Sequence, residues 1–166
     1  MFGAEHNWFG AELLEKQLDH LANNSAGAWA KKYYLASREV MEASLRPYEL
    51  GSTQWYVLWV LVNHGPHLQR DFLDWLQVEK PTLSEIVGAL VRKGLIEQKP
   101  ASDDQRQRLL TLTAAGRRLW KTLPDPLDLI VKTGFEGVSE ADLATVVRVL
   151  QGATQRLNLL VEGLKK

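Results

Sequence analysis

The chain contains no cysteine. That excludes disulfide staples, cysteine-ligated zinc, thiol nucleophiles and thiol-based redox sensing. Nor is there a run approaching the roughly 18 consecutive apolar residues needed to span a bilayer. Residues 1–10 show no basic segment followed by an apolar one, so neither a membrane partner nor a secretory signal is expected, and the cytoplasm is the expected compartment. A nucleophile elbow, a glycine-rich phosphate loop and an HExxH metal motif are all missing, and the four histidines are scattered without a matching acid/base set. No enzyme and no cofactor are therefore expected. Internal repeats, low-complexity runs and a long Pro/Gly linker are missing too, and 166 residues correspond to about one domain.

The formal net charge is zero, which as a sum argues against a polyanionic partner. Its distribution argues the other way. Between Arg92 and Lys121 lie eight cations and three anions, a local net charge of +5, while the balancing acids fall near the start of the chain and after Asp125. A neutral protein can present a basic face. The same charges are also compatible with an ordinary solvated surface.

Hydrophobic periodicity predicts a mainly α chain with one small β-hairpin. A short helical pattern (Leu13, Leu14, Gln17, Leu18, Leu21) ends at Asn23-Asn24-Ser25. A longer helix is expected over about 27–45, with Trp29, Tyr33, Ala36, Val40 and Ala43 on one face and Pro47 and Gly51 closing it. Ser52 or Thr53 can cap a third helix, in which Trp55, Leu58, Trp59 and Val62 follow helical spacing. A short helix over 68–76, burying Leu68, Phe72 and either Leu73 or Leu76, is followed by a tight link at Gln77-Val78. Lys80-Pro81 then opens a helix that buries Leu83, Ile86, Val87 and Leu90 and stops at Gly94. The period then changes from helical to alternating. Strands are expected at 95–99 and 108–113 around a polar turn, followed by a helix capped by Thr113 and running to the Pro124/Pro126 region. The last helix begins at Ser139, and its Leu143, Leu150, Leu157 and Leu164 fall seven apart. A single heptad seam at a terminus is expected to pack against a second subunit, with intramolecular packing as the other reading.

Helix, short helix, turn, helix and β-hairpin in that order describe a winged helix-turn-helix. Its second tight helix is sized for a major groove, and its hairpin for a neighbouring minor groove or backbone. The residues also resemble the MarR family of dimeric regulators over roughly 33–116. The resemblance rests on Val78-Glu79-Lys80-Pro81-Thr82-Leu83, on Leu90-Val91-Arg92-Lys93-Gly94-Leu95-Ile96, and on the wing Asp104-Gln105-Arg106 with Leu112-Thr113-Ala114-Ala115-Gly116 behind it. It implies a homodimer that binds double-stranded DNA, with residues 49–123 as the DNA-binding domain and 1–48 with 124–166 as the helical dimerisation region. It further implies a regulator, expected to be a repressor, that reads an inverted repeat and is released by a small aromatic or anionic ligand. A winged helix turned to protein–protein contacts is the alternative that the neutral charge, Glu79 and Glu85 keep open.

On the expected recognition helix, Lys80, Thr82, Ser84 and Glu85 face away from the apolar stripe. Lys80, Thr82 and Ser84 suit phosphate or base-edge hydrogen bonding. Glu85 departs from the family, many of whose members place arginine there; it is either a specificity reader or a passive surface residue. Arg106 is expected to enter a narrow minor groove, where the potential is most negative, with Arg108 beside it. Asp104 is expected to support the wing by orienting an arginine, or to serve simply as a turn former. For a ligand, Tyr33, Arg38, Trp55 and Trp59 offer aromatic walls and one arginine suited to a carboxylate-bearing ring, with Trp120 from the far side. Tryptophans spaced i, i+4 more often belong to a core than to a pocket. His67 and Asp71, one turn apart if a helix starts there, form a weak metal pair, and no metal is expected.

Overall fold

A computed structural model of the chain describes residue 17, residues 23–101 and residues 106–165. The expected helix before Asn23 and the wing-supporting Asp104 lie outside the described residues. Helix α1 (Ala26–Leu45) starts where Ser25, in an extended conformation, accepts the Ala28 N–H on its hydroxyl at 3.2 Å. Its aromatic stripe is not buried within the chain. Trp29, Tyr33, Ala36, Val40 and Ala43 are exposed, and burial is confined to Met41 and Leu45 in the last two turns.

A 3-10 turn (Arg46–Tyr48) and Glu49 in the left-handed region (φ 56°) lead to α2 (Ser52–Asn63). Neither expected cap applies, because Gly51 occupies the N-cap position. The Ser52 backbone N–H and hydroxyl both donate to the Glu42 carboxylate, at 3.2 and 2.7 Å, so α1 supplies the acceptor that a capping side chain would have. Helix α2 buries Trp55, Val57, Leu58, Val60 and Leu61, too wide an arc for a single stripe, and it forms the centre of the core.

The helix expected over 68–76 divides in two. His67–Leu68 form a short strand, β1, and α3 spans only Asp71–Leu76, burying Phe72 while Leu73 and Leu76 remain half-buried. Gln77, at φ 50°, makes the tight turn. Helix α4 (Lys80–Arg92), with Pro81 in its first turn, buries Leu83, Val87 and Leu90 against α2 and α3; Ile86 is only half-buried. Gly94 at φ 67° ends it, in a conformation costly for residues with a Cβ.

Strands β2 (Ile96–Pro100) and β3 (Arg108–Leu112) pair antiparallel, with Ile96 opposite Leu112 and Pro100 opposite Arg108. The hairpin is not alone. β1 pairs with the other edge of β3, so the order is β1-β3-β2 and β3 is the middle strand. Helix α5 (Ala114–Trp120) is capped as expected: Thr113 Oγ1 accepts the Gly116 N–H at 2.9 Å. It ends sooner than expected, and the Tyr48 hydroxyl donates to the Thr122 carbonyl at 3.0 Å just beyond it. A further helix, α6 (Pro126–Gly134), starts at a proline read from the sequence as a break; proline at a first helical position has no N–H to lose. Helix α7 (Glu140–Leu164) starts at Ser139, whose hydroxyl accepts the Asp142 N–H at 3.1 Å and donates to the Asp142 carboxylate at 2.7 Å.

The chain divides into two compact units, Met1–Pro126 and Leu127–Lys166. In the second, α7 contains no buried residue: Leu143 is half-buried, while Leu150, Leu157 and Leu164 are exposed, Leu157 by 61% and Leu164 by 76%. No helix among the described residues is long and apolar enough to cross a membrane.

Candidate nucleic-acid interface

The candidate surface is built from α4 and the base of the hairpin. Burial of Leu83, Val87 and Leu90 fixes the rotation of α4, leaving Lys80, Thr82, Ser84 and Glu85 exposed. Lys80 and Ser84 lie on the flank nearest the hairpin. There a cleft of about 460 Å³ runs between α4 and the wing, with Leu68, Leu73 and Leu83 among its apolar lining and Arg70, Lys80, Arg106 and Arg108 around it. Four cations thus come from three separate parts of the chain. The expected DNA-binding residues Lys80, Ser84, Arg106 and Arg108 all line this one cleft, whereas Thr82 and Glu85 lie outside its lining.

The base of the wing is held from both sides. Gln69 N–H donates to the Arg108 carbonyl at 2.7 Å, extending the β1–β3 ladder, and the Gln98 amide donates to Gln69 Oε1 at 2.5 Å. On β2, Glu97 and Lys99 project from the same face, as period two requires, and pair at 2.6 Å. The hydrogen-bonded Lys99 ammonium holds the Glu97 carboxyl below the usual carboxylate range. Lys99 therefore brings its own counter-charge, as Arg70 does in Asp71 at 3.7 Å. The Ser84 hydroxyl donates to the Lys80 carbonyl at 2.9 Å, so its proton is used within the helix and its lone pairs face outward.

Arg70, Gln69 and Gln98 were not anticipated. Reading 68–76 as one helix hid the β1 pairing that turns Arg70 towards the wing, and a two-residue strand leaves no periodic trace.

The four expected ligand contacts are not brought together as a pocket. Trp55 is 1% exposed and belongs to the core, with its ring centroid 5.3 Å from those of both Tyr56 and Trp120. Its indole N–H is buried without a hydrogen-bond partner among the described residues. Trp59 is half-buried with its ring against His64, and Tyr33 and Arg38 are exposed on α1. A separate cavity of about 290 Å³ lies elsewhere, lined by Leu61, Val62, Leu112 and Trp120 together with Arg117, Arg118 and Lys121. Among the described residues no cluster of three His, Cys, Asp or Glu side chains could hold a metal; His67 Nδ1 lies 3.0 Å from the Gly65 carbonyl.

A model of the MarR family matches residues 48–107, which takes in α2, the tight helix pair and most of the wing. The transcriptional regulator YwoH of Bacillus subtilis is 29% identical over 110 residues, covering 66% of this chain and 74% of that protein. Among solved structures, Staphylococcus aureus MepR in its DNA-binding conformation superposes with a TM-score of 0.71 at 21% identity, over 80% of this chain and 98% of that one. Bordetella bronchiseptica BpsR, whose DNA binding is regulated by 6-hydroxynicotinic acid, superposes with a TM-score of 0.69 at 20% identity, over 80% and 94% of the two chains. Both structural likenesses bear on the fold.

Proposed function

We propose that the chain, which is similar to MarR family regulators over residues 48–107, acts as a homodimeric winged helix-turn-helix repressor that binds an inverted repeat in double-stranded DNA. The observation that carries this reading is the single cleft in which Lys80 and Ser84 of the recognition helix meet Arg106 and Arg108 of the wing. Cations on both sides of a gap between a helix and a hairpin suit a phosphate strand running between a major groove and its neighbouring minor groove. In this reading Arg106, with Asp104 as its support, reaches the minor groove, and Thr82 contacts backbone or base edges.

Dimerisation is argued from α7. A 25-residue helix with a leucine every seventh position and no buried residue exposes a seam that requires a partner. The division follows: 49–123 bind DNA, and 1–48 with 124–166 join the subunits. One such module supplies few base contacts, each worth about 1–3 kcal/mol of discrimination. Two modules held at a fixed spacing sum those terms, with half-sites about one helical turn apart.

Release by a small aromatic carboxylate fits the cavity walled by Trp120, where Arg117, Arg118 and Lys121 would neutralise the acid. BpsR, regulated by 6-hydroxynicotinic acid, supports the class of effector. Tyr33, Arg38 and Trp59 remain accessible to a ligand, but Trp55 does not, because the core seals it.

The test combines sedimentation with retention of genomic DNA fragments over a salt series. A dimer whose DNA affinity falls steeply with salt, as counterion release demands, supports the reading. A strict monomer that retains no duplex at low salt overturns it, and a monomer or dimer that binds only protein partners favours the protein-contact alternative.

A further inference from the structure

Side chains on a helix are about 100° apart, so the line opposite Leu83, Val87 and Leu90 is fixed. Within about 50° of that line stand four residues of α4: Pro81, Glu85, Gly88 and Arg92. Pro81 has no side-chain hydrogen-bonding group, and Gly88 has no side chain. Arg92, in the last turn, folds back over Gly88, with Nη1 3.2 Å from where a glycine Cβ would stand. In the N-terminal half of the helix, the part that enters a groove, Glu85 is the one residue on this stripe with a polar side chain long enough to read a base. Glu85 is exposed and makes neither an ion pair nor a hydrogen bond among the described residues.

An unpaired carboxylate on the outward line of a helix laid in a groove weakens binding to a polyanion unless something on the DNA donates to it. Ionised, it is an acceptor only. Two groups on the major-groove floor donate, the amino groups of cytosine and adenine. The adenine amino group lies beside N7, an acceptor whose lone pair repels the second carboxylate oxygen; cytosine has no such neighbour on its own edge. We infer that Glu85 is the base reader of this recognition helix and selects a cytosine, and hence a C·G pair, at one position of each half-site. This rests on the DNA-binding reading above and names what that surface recognises.

The test is selection from randomised duplexes by the full chain, by Glu85→Gln and by Glu85→Ala, at one salt concentration. The unmodified chain should enrich a C·G pair at one half-site position by about tenfold over the other pairs. Glutamine, which pairs with adenine through N6 and N7, should shift that position towards A·T and leave the rest of the motif unchanged. Alanine should level that position while raising affinity for unselected DNA. A melting curve on each variant separates these outcomes from loss of fold. Identical motifs for the unmodified chain and Glu85→Gln, or a motif with no cytosine dependence, overturn the inference while leaving DNA binding intact. Failure of the unmodified chain to retain any duplex overturns the functional reading itself.

Discussion

Gly116 lies against the backbone carbonyl of Leu95, so near that any Cβ at position 116 would overlap that oxygen and also press on the Leu112 side chain at 2.9 Å. The contact locks the first turn of α5 onto the exit of α4. Thr113 Oγ1, which accepts the Gly116 N–H, also lies 2.7 Å from the Gly94 carbonyl as its donor partner, fastening the same junction a second time. Gly116→Ala is therefore expected to lower stability by about 3 kcal/mol, the upper range for overpacking, because backbone cannot swing aside as a flexible side chain can. Thr113→Ala should cost about 1–2 kcal/mol as a lost cap, and Thr113→Ser much less. Denaturant unfolding followed by circular dichroism measures both.

The cationic cleft leads to a second expectation. Arg106→Ala should weaken operator binding and make the log–log salt dependence shallower by about one ion, without unfolding the dimer. Lys80→Ala should act alike on all sequences if it serves phosphate. Fluorescence anisotropy over a salt series reads both. An unchanged affinity for Arg106→Ala at physiological salt would remove the wing from the mechanism.

Leu157 is 61% exposed within the chain, so a charge there should be harmless to an isolated subunit. In a dimer joined through the α7 seam it would be buried unpaired, at a cost of several kcal/mol. Leu157→Asp is thus expected to dissociate the assembly, or to unfold it where subunits need one another. Analytical ultracentrifugation decides, and an intact mutant dimer would rule out this seam as the interface.

Tyr56 supplies a pH dependence. Burial, and secondarily the neighbouring Tyr34 phenol, push its ionisation above the ordinary tyrosine value of about 10. The folded chain therefore holds this proton more tightly than the unfolded chain. Its contribution is fully present below pH about 10 and is lost as pH rises from there through the folded-state value. Tyr56→Phe should flatten that alkaline decline. Unfolding midpoints measured on both proteins from pH 8 to 11 provide the check.

What could be foreseen from the amino acids, and what could not, divides along the range of the interactions. Caps and stops are local: Ser25, Thr113 and Ser139 each accept an N–H three residues on, and Gly94 takes the left-handed conformation that ends α4. Ser52 broke the pattern because its donors found Glu42, ten residues earlier, an acceptor that no local rule reveals. Strand β1 was hidden for the same reason, since His67 and Leu68 are strand only by virtue of Leu110 and Leu109 opposite them. Helix α6 was missed because Pro126 was read as a stop, although proline is equally a start. Of the candidate site, Lys80, Ser84, Arg106 and Arg108 were legible from residue type and order. Arg70 was not, and Trp55 takes the core place that its spacing favours over the pocket wall, since aromatic spacing is the same in both.

The middle position of β3 separates two properties that a free hairpin would mix. Both edges of that strand are in use, and its Leu110 and Leu112 point into the core. A one-residue insertion within it would turn those leucines outward and break two pairings at once. Pairing continues beyond that ladder to Ala101, whose N–H donates to the Gln107 carbonyl at 3.0 Å. Arg108, exposed at the head of the strand, can thus be exchanged over evolution, or by an engineer, for a side chain of other charge or length while the register that carries it stays the same.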